Sequence, residues 1–309
     1  MITNVFKSNI YTIDGLRFGK GSVGNPKGKV KEMRIKHSAI KIMIIAGLII
    51  SVQAQGALIA QFSGNITTNA SGQVSAWRND VSGGSSAVNA STATQPYVAT
   101  AVINGQNHSV IDFGANSSAG TVLSLGPQSA LNARPVSFAV VFKYTSSTTA
   151  QSLFGVNDTV SSSAMQGWIK DDGTLRTSGR NSSGTQISAT TTVGAANDKW
   201  YVMFGTLSAN DYVRTRIVEL DDQDDSSMLY ASTTGANAVL TGNNNVYIGN
   251  NSGSAASFDG QMAEMRIYNN DLNLYLTDGS GAWTAELADL RALYVTIPRR
   301  LKLNMLIGL

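Results

Sequence analysis

The densest group of acidic side chains in the chain is Glu219-Leu-Asp-Asp-Gln-Asp-Asp225. Two carboxyl groups about 5 Å apart can cleave a glycosidic bond with retention, because one attacks the sugar while the other donates and then accepts a proton. Glu219 is the candidate glutamate for such a pair. The segment comes at the end of a predicted strand and leads into a turn. We therefore interpret it first as a solvated acidic hairpin, with a catalytic pair as the alternative.

The aspartates of this hairpin also form a candidate cation site. Carboxylate oxygens are the preferred ligands of hard cations such as Ca²⁺. The site would consist of Asp221, Asp222, Asp224 and Asp225. The sequence contains no complete calcium-loop pattern, so the solvated hairpin remains the first interpretation. Calcium is the only cofactor that we name as a candidate.

Histidine and cysteine offer little catalytic chemistry in this chain. The sequence has no cysteine, which excludes disulfides, thiolate metal sites and cysteine nucleophiles. His108 is the single histidine after residue 56, which is too few for a multi-histidine zinc site. It lies in a predicted loop, Gly105-Gln-Asn-His-Ser109, and no nucleophile-elbow motif accompanies it. We interpret it as a surface histidine.

The tryptophans are the candidates for stacking on sugar rings. Aromatic rings combine a large apolar face with a polar edge, which suits both cores and binding sites. Trp168 is flanked by Gly167 and the predicted turn Lys170-Asp-Asp-Gly173, and it is our candidate ligand-binding residue. A role in the core is the alternative for Trp168. We predict core positions for Trp77 and Trp200, and we expect Trp283 to dock a helix.

Charge is distributed unevenly along the chain. Residues 1–54 hold nine of the 23 basic residues and two of the 20 acidic ones, so residues 55–309 carry a net charge of −4. No basic stripe with interleaved aromatic residues is present, which argues against nucleic acid as a partner. Charged residues make up only 14% of the chain, a fraction that is typical of secreted β-proteins rich in serine, threonine and asparagine.

An export signal is predicted near the beginning. Met33–Lys41 is basic, Ile42–Val52 is an uninterrupted run of apolar or small residues, and small residues follow up to Ala57. We predict a signal peptide over 33–56, cleaved near Ala54–Gly56, and a secreted or cell-surface location. The apolar run is too short to cross about 30 Å of hydrocarbon, although an uncleaved anchor remains the alternative. Residues 1–32 fit no part of the signal and are predicted to be a disordered upstream extension, with Met33 as an alternative start.

Short apolar runs bounded by turn residues recur after the signal. They are Val110–Phe113, Val136–Tyr144, Ser152–Val156, Gly167–Lys170, Trp200–Leu207, Val213–Leu220, Val246–Ile248 and Gln261–Tyr268. Runs of this length at near-regular spacing predict an all-β fold, an antiparallel two-sheet sandwich or jelly roll. No alternation of strands with helices appears, so a parallel sheet is not expected.

Two of these runs predict which side chains share a face. In Val136–Tyr144, period-two alternation places Val136, Phe138, Val140, Phe142 and Tyr144 on one side. In the closing run, the same rule groups Met262, Glu264, Arg266 and Tyr268 against Ala263, Met265 and Ile267.

One helix is predicted, over Trp283–Val295. Its apolar stripe would contain Leu287, Leu290, Leu293 and Tyr294. The tail, residues 296–309, is basic and apolar but too short to cross a membrane. We therefore expect no membrane-spanning segment in the mature domain, which we place at 57–295.

The order of the segments resembles the laminin-G-like jelly roll of the concanavalin A-like lectin/glucanase superfamily, in its secreted bacterial type. The segments that carry the resemblance are Trp77-Arg-Asn-Asp80 with Ser82-Gly83, Gln95-Pro-Tyr97, Ile103-Asn-Gly105, Val110–Gly114, Phe138–Phe142, Ser152–Gly155, Trp200–Phe204, Ile248-Gly249, Phe258-Asp-Gly260 and Ala263–Tyr268. The resemblance covers 57–295. It implies two curved antiparallel sheets, with ligands often held on the concave face or on the rim loops.

The resemblance implies a range of functions, since such a fold serves lectins, adhesins, enzyme appendages and glycosidases. Glycosidases of this superfamily carry a Glu-x-Asp-x-(x)-Glu strand motif, whereas Gln223 or Asp224 stands near the place of its second glutamate. Glu264 belongs to the family-like closing strand and is expected to be structural. We expect an exported, non-catalytic binding or adhesion protein with a glycan or cell-surface polymer as partner. A glycoside hydrolase and a structural surface protein without a small ligand are the alternatives.

Overall fold

The described part of the computed structural model comprises residues 57–89, 91–114, 121–145, 149–157, 165–238, 245–250, 257–276 and 281–294. The upstream extension 1–32, the signal 33–56 and the tail 296–309 lie outside it, so they remain predictions. Within the described part, no helix combines the length and the apolar character that crossing a membrane requires.

The described residues form a β-rich domain with one α-helix. The strands are β1 (Leu58–Phe62), β2 (Ile66–Thr68), β3 (Val74–Trp77), β4 (Ala87–Val88), β5 (Tyr97–Ile103), β6 (Gln106–Asp112), β7 (Leu123–Pro127), β8 (Val136–Tyr144), β9 (Gln151–Asn157), β10 (Met165–Ile169), β11 (Thr174–Arg180), β12 (Gln186–Gly194), β13 (Tyr201–Leu207), β14 (Tyr212–Glu219), β15 (Leu229–Thr234), β16 (Asn245–Ile248) and β17 (Gly260–Tyr268). The helix, α1, spans Ala282–Tyr294.

The strands pair into two antiparallel sheets, which confirms the predicted all-β sandwich with a short C-terminal helix. The eight-stranded sheet has the order β15-β14-β13-β8-β17-β6-β5, and β1 pairs with the second half of β17. The nine-stranded sheet has the order β12-β11-β10-β9-β16-β7-β4-β3-β2. Hairpins of consecutive strands are joined by pairings between distant strands, such as β8 with β17 and β9 with β16, so the complete sheets form only when the whole domain closes.

The core between the sheets is made by alternate residues of each strand. The predicted face of β8 is confirmed, because Val136, Phe138, Val140, Phe142 and Tyr144 all lie in this core. Phe138 and Phe154 bring one ring from each sheet to a centroid distance of 4.9 Å. Burial of large side chains such as these contributes about 1.5–3 kcal/mol each, so the sandwich interior is the main source of stability.

The strict alternation predicted for the closing strand β17 is wrong at its beginning. Met262, Met265 and Ile267 face the core between the sheets, whereas Ala263 and Tyr268 face the helix. The register with β8 shifts between Met262 and Glu264, which marks a β-bulge. A bulge inserts one extra residue, so it reverses the face of every residue on one side of it. Here it turns Met262 inward and Ala263 outward.

Helix α1 covers the outer face of the eight-stranded sheet. Its buried side chains are Trp283, Glu286, Leu287, Leu290 and Tyr294. The predicted stripe is wrong at Leu293, which is 48% exposed. At about 100° per residue, position 293 lies roughly 80° from the mean direction of Leu290 and Tyr294, and therefore outside the buried arc of the helix.

The Gly249 turn after β16 is a position where the fold requires glycine. Its φ is +79°, and a Cβ atom there would lie 2.1 Å from a ring carbon of the buried Phe113. We expect Gly249→Ala to lower the free energy of unfolding by about 2–4 kcal/mol, since left-handed strain and overpacking add. Urea denaturation measures the loss.

Gly184→Ala is the matched control for this prediction. Gly184 has a φ of +81°, yet a Cβ atom there would meet nothing within 4 Å. Only the strain of about 1–2 kcal/mol should remain. Equal losses in the two variants would show that contact with Phe113 does not restrict position 249.

Candidate functional site

The outer face of the nine-stranded sheet presents Trp168. On β10, Met165 and Ile169 belong to the core between the sheets. Gly167 also points inward, because a Cβ atom on it would lie 2.6 Å from the Phe138 ring. Alternation along the strand therefore sends Trp168 outward, away from the core. The described residues include no helix on this face that corresponds to α1 on the other sheet.

Neighbouring side chains hold the Trp168 ring in place. The indole Nε1 donates a hydrogen bond of 2.7 Å to Oε1 of Gln166. Arg176 pairs with Trp168 across the β10–β11 hairpin, and its Cζ lies 5.3 Å from the ring centroid. The ring is half-buried, so it is oriented before any ligand arrives. A preoriented aromatic surface loses little conformational entropy on binding.

The outward side of the sheet next to this tryptophan is largely covered. Gln166 pairs with Gly155 on β9, and Gly155 pairs with Tyr247 on β16. Gly155 is buried and Gln166 is only 3% exposed, so neighbouring groups close the space between Gln166 and Tyr247. Tyr247 is half-buried and points outward, because Val246 and Ile248 belong to the core.

Polar groups lie on the same face of the sheet. Gln186 Nε2 donates a hydrogen bond of 3.0 Å to Ser178 Oγ, and both residues lie on the outward side of their strands. Within the described part of the chain, Ser152 Oγ and Arg176 Nε are buried atoms without a hydrogen-bond partner. Burial also lowers the pKa of Arg176 from its usual value. Trp168, Arg176, Gln166 and Tyr247 are called the Trp168 surface below.

The acidic hairpin has a different arrangement from a cation site. Asp222 Oδ2 accepts a hydrogen bond of 2.6 Å from the Ser227 backbone, and Asp224 Oδ1 accepts one of 3.1 Å from the Ser226 backbone. Partial burial alone would raise the Asp222 pKa, but the hydrogen bonds from Ser227 outweigh it and hold the pKa well below its usual range. Asp221 is exposed.

Arg291 of α1 anchors this hairpin. Its guanidinium lies 2.8 Å from Asp225 Oδ1 and donates to the backbone oxygen of Asp222. Among the described residues, no three acidic or histidine side chains gather in an arrangement suited to a metal ion. The predicted calcium site at Asp221, Asp222, Asp224 and Asp225 therefore remains a prediction, and the visible role of the hairpin is to hold the helix.

Glu219 lies at the end of β14 in an ion pair. Lys199 Nζ is 2.8 and 2.9 Å from its two carboxylate oxygens. The hydrogen bonds and charge of Glu219 raise the pKa of Lys199. Tyr201 Oη is 3.5 Å from Glu219 Oε1. The visible role of Glu219 is therefore an ion pair at the end of the strand, whereas retaining glycoside hydrolysis would need a second carboxyl group about 5 Å away.

A buried ionic cluster lies under α1, around Glu264 and Arg266. Glu264 is 1% exposed and accepts hydrogen bonds from Arg266 Nε, from Gln61 Nε2 at 3.0 Å and from Tyr294 Oη at 3.0 Å. Arg266 Nη1 also contacts Glu286 and Asp289 of the helix. Burial alone would lower the Arg266 pKa, but the charges of Glu264 and Glu286 outweigh it and hold the pKa above its usual value. The cluster links β17 to α1. These contacts agree with the structural role that was expected for Glu264.

The remaining candidate residues occupy positions that differ in part from those predicted. His108 lies in strand β6 instead of a loop and is half-buried, with its ring 4.9 Å from that of Tyr294. Burial lowers its pKa. Trp77 and Trp283 are buried at 0% and 3% exposure, as expected for a core residue and a helix contact. Trp200 is only partly buried, because it precedes β13 at the end of the sheet.

Sequence reasoning missed Arg176, Gln166 and Tyr247. A local signal existed for Arg176, since the turn at Lys170–Gly173 closes a short hairpin and places Trp168 opposite it. No local signal exists for Tyr247, which reaches this face through the pairing of β16 with β9.

Comparison with known proteins gives a family match. The family model described as "Concanavalin A-like lectin/glucanases superfamily" matches residues 116–274, about half of the chain. A search of curated proteins gives no match.

Solved structures share the general fold at low identity. A CBM40 module of the Ruminococcus gnavus IT-sialidase, bound to α2,3-sialyllactose, is 16% identical with a TM-score of 0.39, over 56% of this chain and 93% of that one. Domain 4 of AbnA, an extracellular arabinanase of Geobacillus stearothermophilus in complex with arabinotriose, is 15% identical with a TM-score of 0.49, over 77% and 100%. A Trypanosoma rangeli sialidase in complex with the inhibitor DANA is 13% identical with a TM-score of 0.46, over 79% and 33%.

Proposed function

The chain belongs to the concanavalin A-like lectin/glucanase superfamily, and from that premise we propose that it is an exported, non-catalytic protein that binds carbohydrate through the Trp168 surface. Its partner would be a glycan or a cell-surface polymer. Fold alone does not assign a ligand in this superfamily, so the proposal rests on the residues of the surface.

One observation carries the proposal: a partly exposed, outward tryptophan is held in a fixed orientation by a hydrogen bond to Gln166 and by the stacked Arg176, on a face that no described helix covers. The ring of Trp168 offers an apolar face, which is what the C–H face of a sugar contacts. Arg176, Ser188 and Thr190 supply polar groups next to it, since Arg176 pairs with Thr190 on β12. A small number of fixed polar groups around an aromatic wall is typical of small-ligand sites.

A binding role also agrees with the geometry of the acidic residues. Glu219 is held by Lys199, and Glu264 is buried beneath the helix. Retaining and inverting hydrolysis both require two carboxyl groups that flank the substrate bond. Neither glutamate lies on the Trp168 surface, so we favour binding over hydrolysis there.

A glycan array with added calcium or with chelator tests this function. We expect selective binding to one class of glycan, without release of reducing sugar from the bound polymer. Calcium-dependent binding would support the candidate site at Asp221, Asp222, Asp224 and Asp225. Product release that is abolished in Glu219→Gln would overturn the non-catalytic assignment. Binding to no glycan, together with self-association, would favour a structural role.

Export is a separate part of the proposal and has its own test. The basic segment from Met33 and the apolar run Ile42–Val52 support cleavage near Ala54–Gly56. Intact mass of the protein collected from outside the producing cell should correspond to a chain that starts in this region. A mature chain that retains residues 1–32 would contradict both the cleavage and the alternative start at Met33.

A further inference from the structure

A second aromatic surface lies on the opposite side of the sandwich. Tyr212, Tyr230 and Tyr275 are 40%, 40% and 49% exposed, a large fraction for aromatic residues. Tyr212 and Tyr230 point away from the core, because Val213 and Ile217 of β14 and the side chains next to Tyr230 pack inward. These three tyrosines, with Arg214 and Arg216, are called the tyrosine–arginine track.

Arg214 holds one end of the track. Its Cζ is 4.7 Å from the ring centroids of both Tyr212 and Tyr275, so one guanidinium positions two rings. Its Nη1 is 3.1 Å from Asp271 Oδ2, which neutralises the charge. Arg214 itself is 7% exposed, so the exposed part of this end is formed by the two tyrosines.

Arg216 holds the other end. Its Cζ is 4.8 Å from the centroid of Tyr230 and 4.2 Å from that of Trp283. Its Nε donates a hydrogen bond of 3.0 Å to the Leu274 oxygen, and burial lowers its pKa. Residues 214 and 216 are two apart on one strand, so the two stacked groups are separated by about 7 Å.

A cleft continues the track past Trp283. It has a volume of about 270 Å³ and lies between α1 and the acidic hairpin. Trp283, Leu287 and Ala288 form its apolar part, and Gln223, Asp225 and Arg291 form its polar part. Because Asp225 and Arg291 are paired with each other, the polar part carries little net charge.

The chemistry of the track and cleft defines a ligand class. The ligand must offer flat apolar faces at several successive positions, since the exposed rings are spaced along β14 and β15. It must also carry hydroxyl groups for the polar part of the cleft. Arg214 is paired with Asp271 and Arg291 with Asp225, while Arg216 is only 2% exposed and is bonded to the Leu274 oxygen, so the track presents little accessible charge to an anionic or cationic chain. An uncharged, polyhydroxylated chain meets these conditions.

We propose that the tyrosine–arginine track binds a neutral polysaccharide, so that one molecule bridges two polymer chains through opposite faces of the sandwich. The proposal rests on the proposed function for the first of the two faces. The Trp168 surface faces outward from the nine-stranded sheet, and the track faces outward from the eight-stranded sheet. The core and both sheets separate the two surfaces, so a polysaccharide bound at one surface does not obstruct a polysaccharide bound at the other. Two such sites make a cross-linker, because binding at the second face joins a second chain.

The test measures binding and bridging separately, with galactomannan and dextran as neutral probes and polygalacturonate as the anionic one. Affinity gel electrophoresis reports binding, and solution viscosity reports bridging. The track variant combines Tyr212→Ser, Tyr230→Ser and Tyr275→Ser. These side chains are substantially exposed, and thermal denaturation checks the fold. Val102→Ser is the matched control, since Val102 is 64% exposed on β5 of the same sheet.

We expect the wild type and Val102→Ser to raise the viscosity of a neutral polymer. The track variant should still bind it with an affinity within about threefold, while the viscosity increase falls by about tenfold. An undiminished viscosity increase in the track variant would overturn the proposal, as would wild-type binding without bridging. Equal bridging of polygalacturonate would overturn the neutral ligand class.

Failure of the proposed function gives a different result. Trp168→Ala would then keep full affinity for the neutral polymer, while the track variant would lose all binding. That outcome assigns the binding site to the track alone and overturns both bridging and the Trp168 surface. Absence of binding by every form to both neutral polymers overturns the neutral-polysaccharide assignment for the track, whereas binding in the glycan array would still support the Trp168 surface.

Discussion

Replacement of Arg266 by methionine should lower the free energy of unfolding by about 3–5 kcal/mol. Arg266 is 4% exposed and contacts three carboxylates, of Glu264, Glu286 and Asp289. Methionine fills much of the volume but leaves Glu264 and Glu286 as buried carboxylates without a cation. Urea denaturation, followed by tryptophan fluorescence, measures the loss.

Lys199→Met is the matched control, because it breaks an ion pair of similar length that is exposed. The Lys199 side chain is 54% exposed and that of Glu219 is 22% exposed, so solvent screens the pair. We expect a loss close to the error of the urea measurement. An equally small loss of unfolding free energy in Arg266→Met would contradict the prediction. It would show that Glu264 and Glu286 become protonated, and that charge in the cluster does not hold α1 on the sheet.

Substitution of Trp168 by alanine should weaken glycan binding by at least about 30-fold, which corresponds to about 2 kcal/mol. The indole is the largest apolar group on the Trp168 surface, and its position is fixed by Gln166 and Arg176. Its removal eliminates the stacking face and the contact that orients Arg176. Titration against the glycan that the array selects, by calorimetry, measures the change.

Trp168→Phe separates stacking from the other effects of this substitution. Phenylalanine keeps an aromatic face above Arg176 but lacks the N–H that Gln166 accepts. We expect a loss of about three- to tenfold, between the wild type and the alanine variant. Wild-type affinity in Trp168→Ala, in a protein with an unchanged thermal midpoint, would remove Trp168 from the site.

Much of the fold could be predicted from local pattern. The bounds of β8 match the predicted run Val136–Tyr144, and its inward face is as expected. The helix was expected over Trp283–Val295 and is observed over Ala282–Tyr294. Both patterns arise from backbone geometry that acts within a few residues, which is why composition and spacing suffice.

The bulge in β17 shows where such reasoning stops. The residues Met262-Ala263 alternate with their neighbours as in a regular strand, yet the register shifts there. Met262 must fill the core, whereas Ala263 lies under the hydroxyl of Tyr294, which is 3.2 Å from its backbone oxygen. These requirements come from opposite sides of the sheet and act together only after the sandwich has closed.

Residue pattern along the chain was enough to predict an antiparallel sandwich with one helix and to select Trp168 as the tryptophan to test. The surroundings of Trp168 could not be read in that way, because Tyr247 comes from β16, far along the chain. The contact of Arg291 with the acidic hairpin and the position of Arg216 between Tyr230 and Trp283 likewise join distant segments. Periodicity follows from the geometry of neighbouring residues, whereas a site depends on which distant segments the closed sheets place side by side.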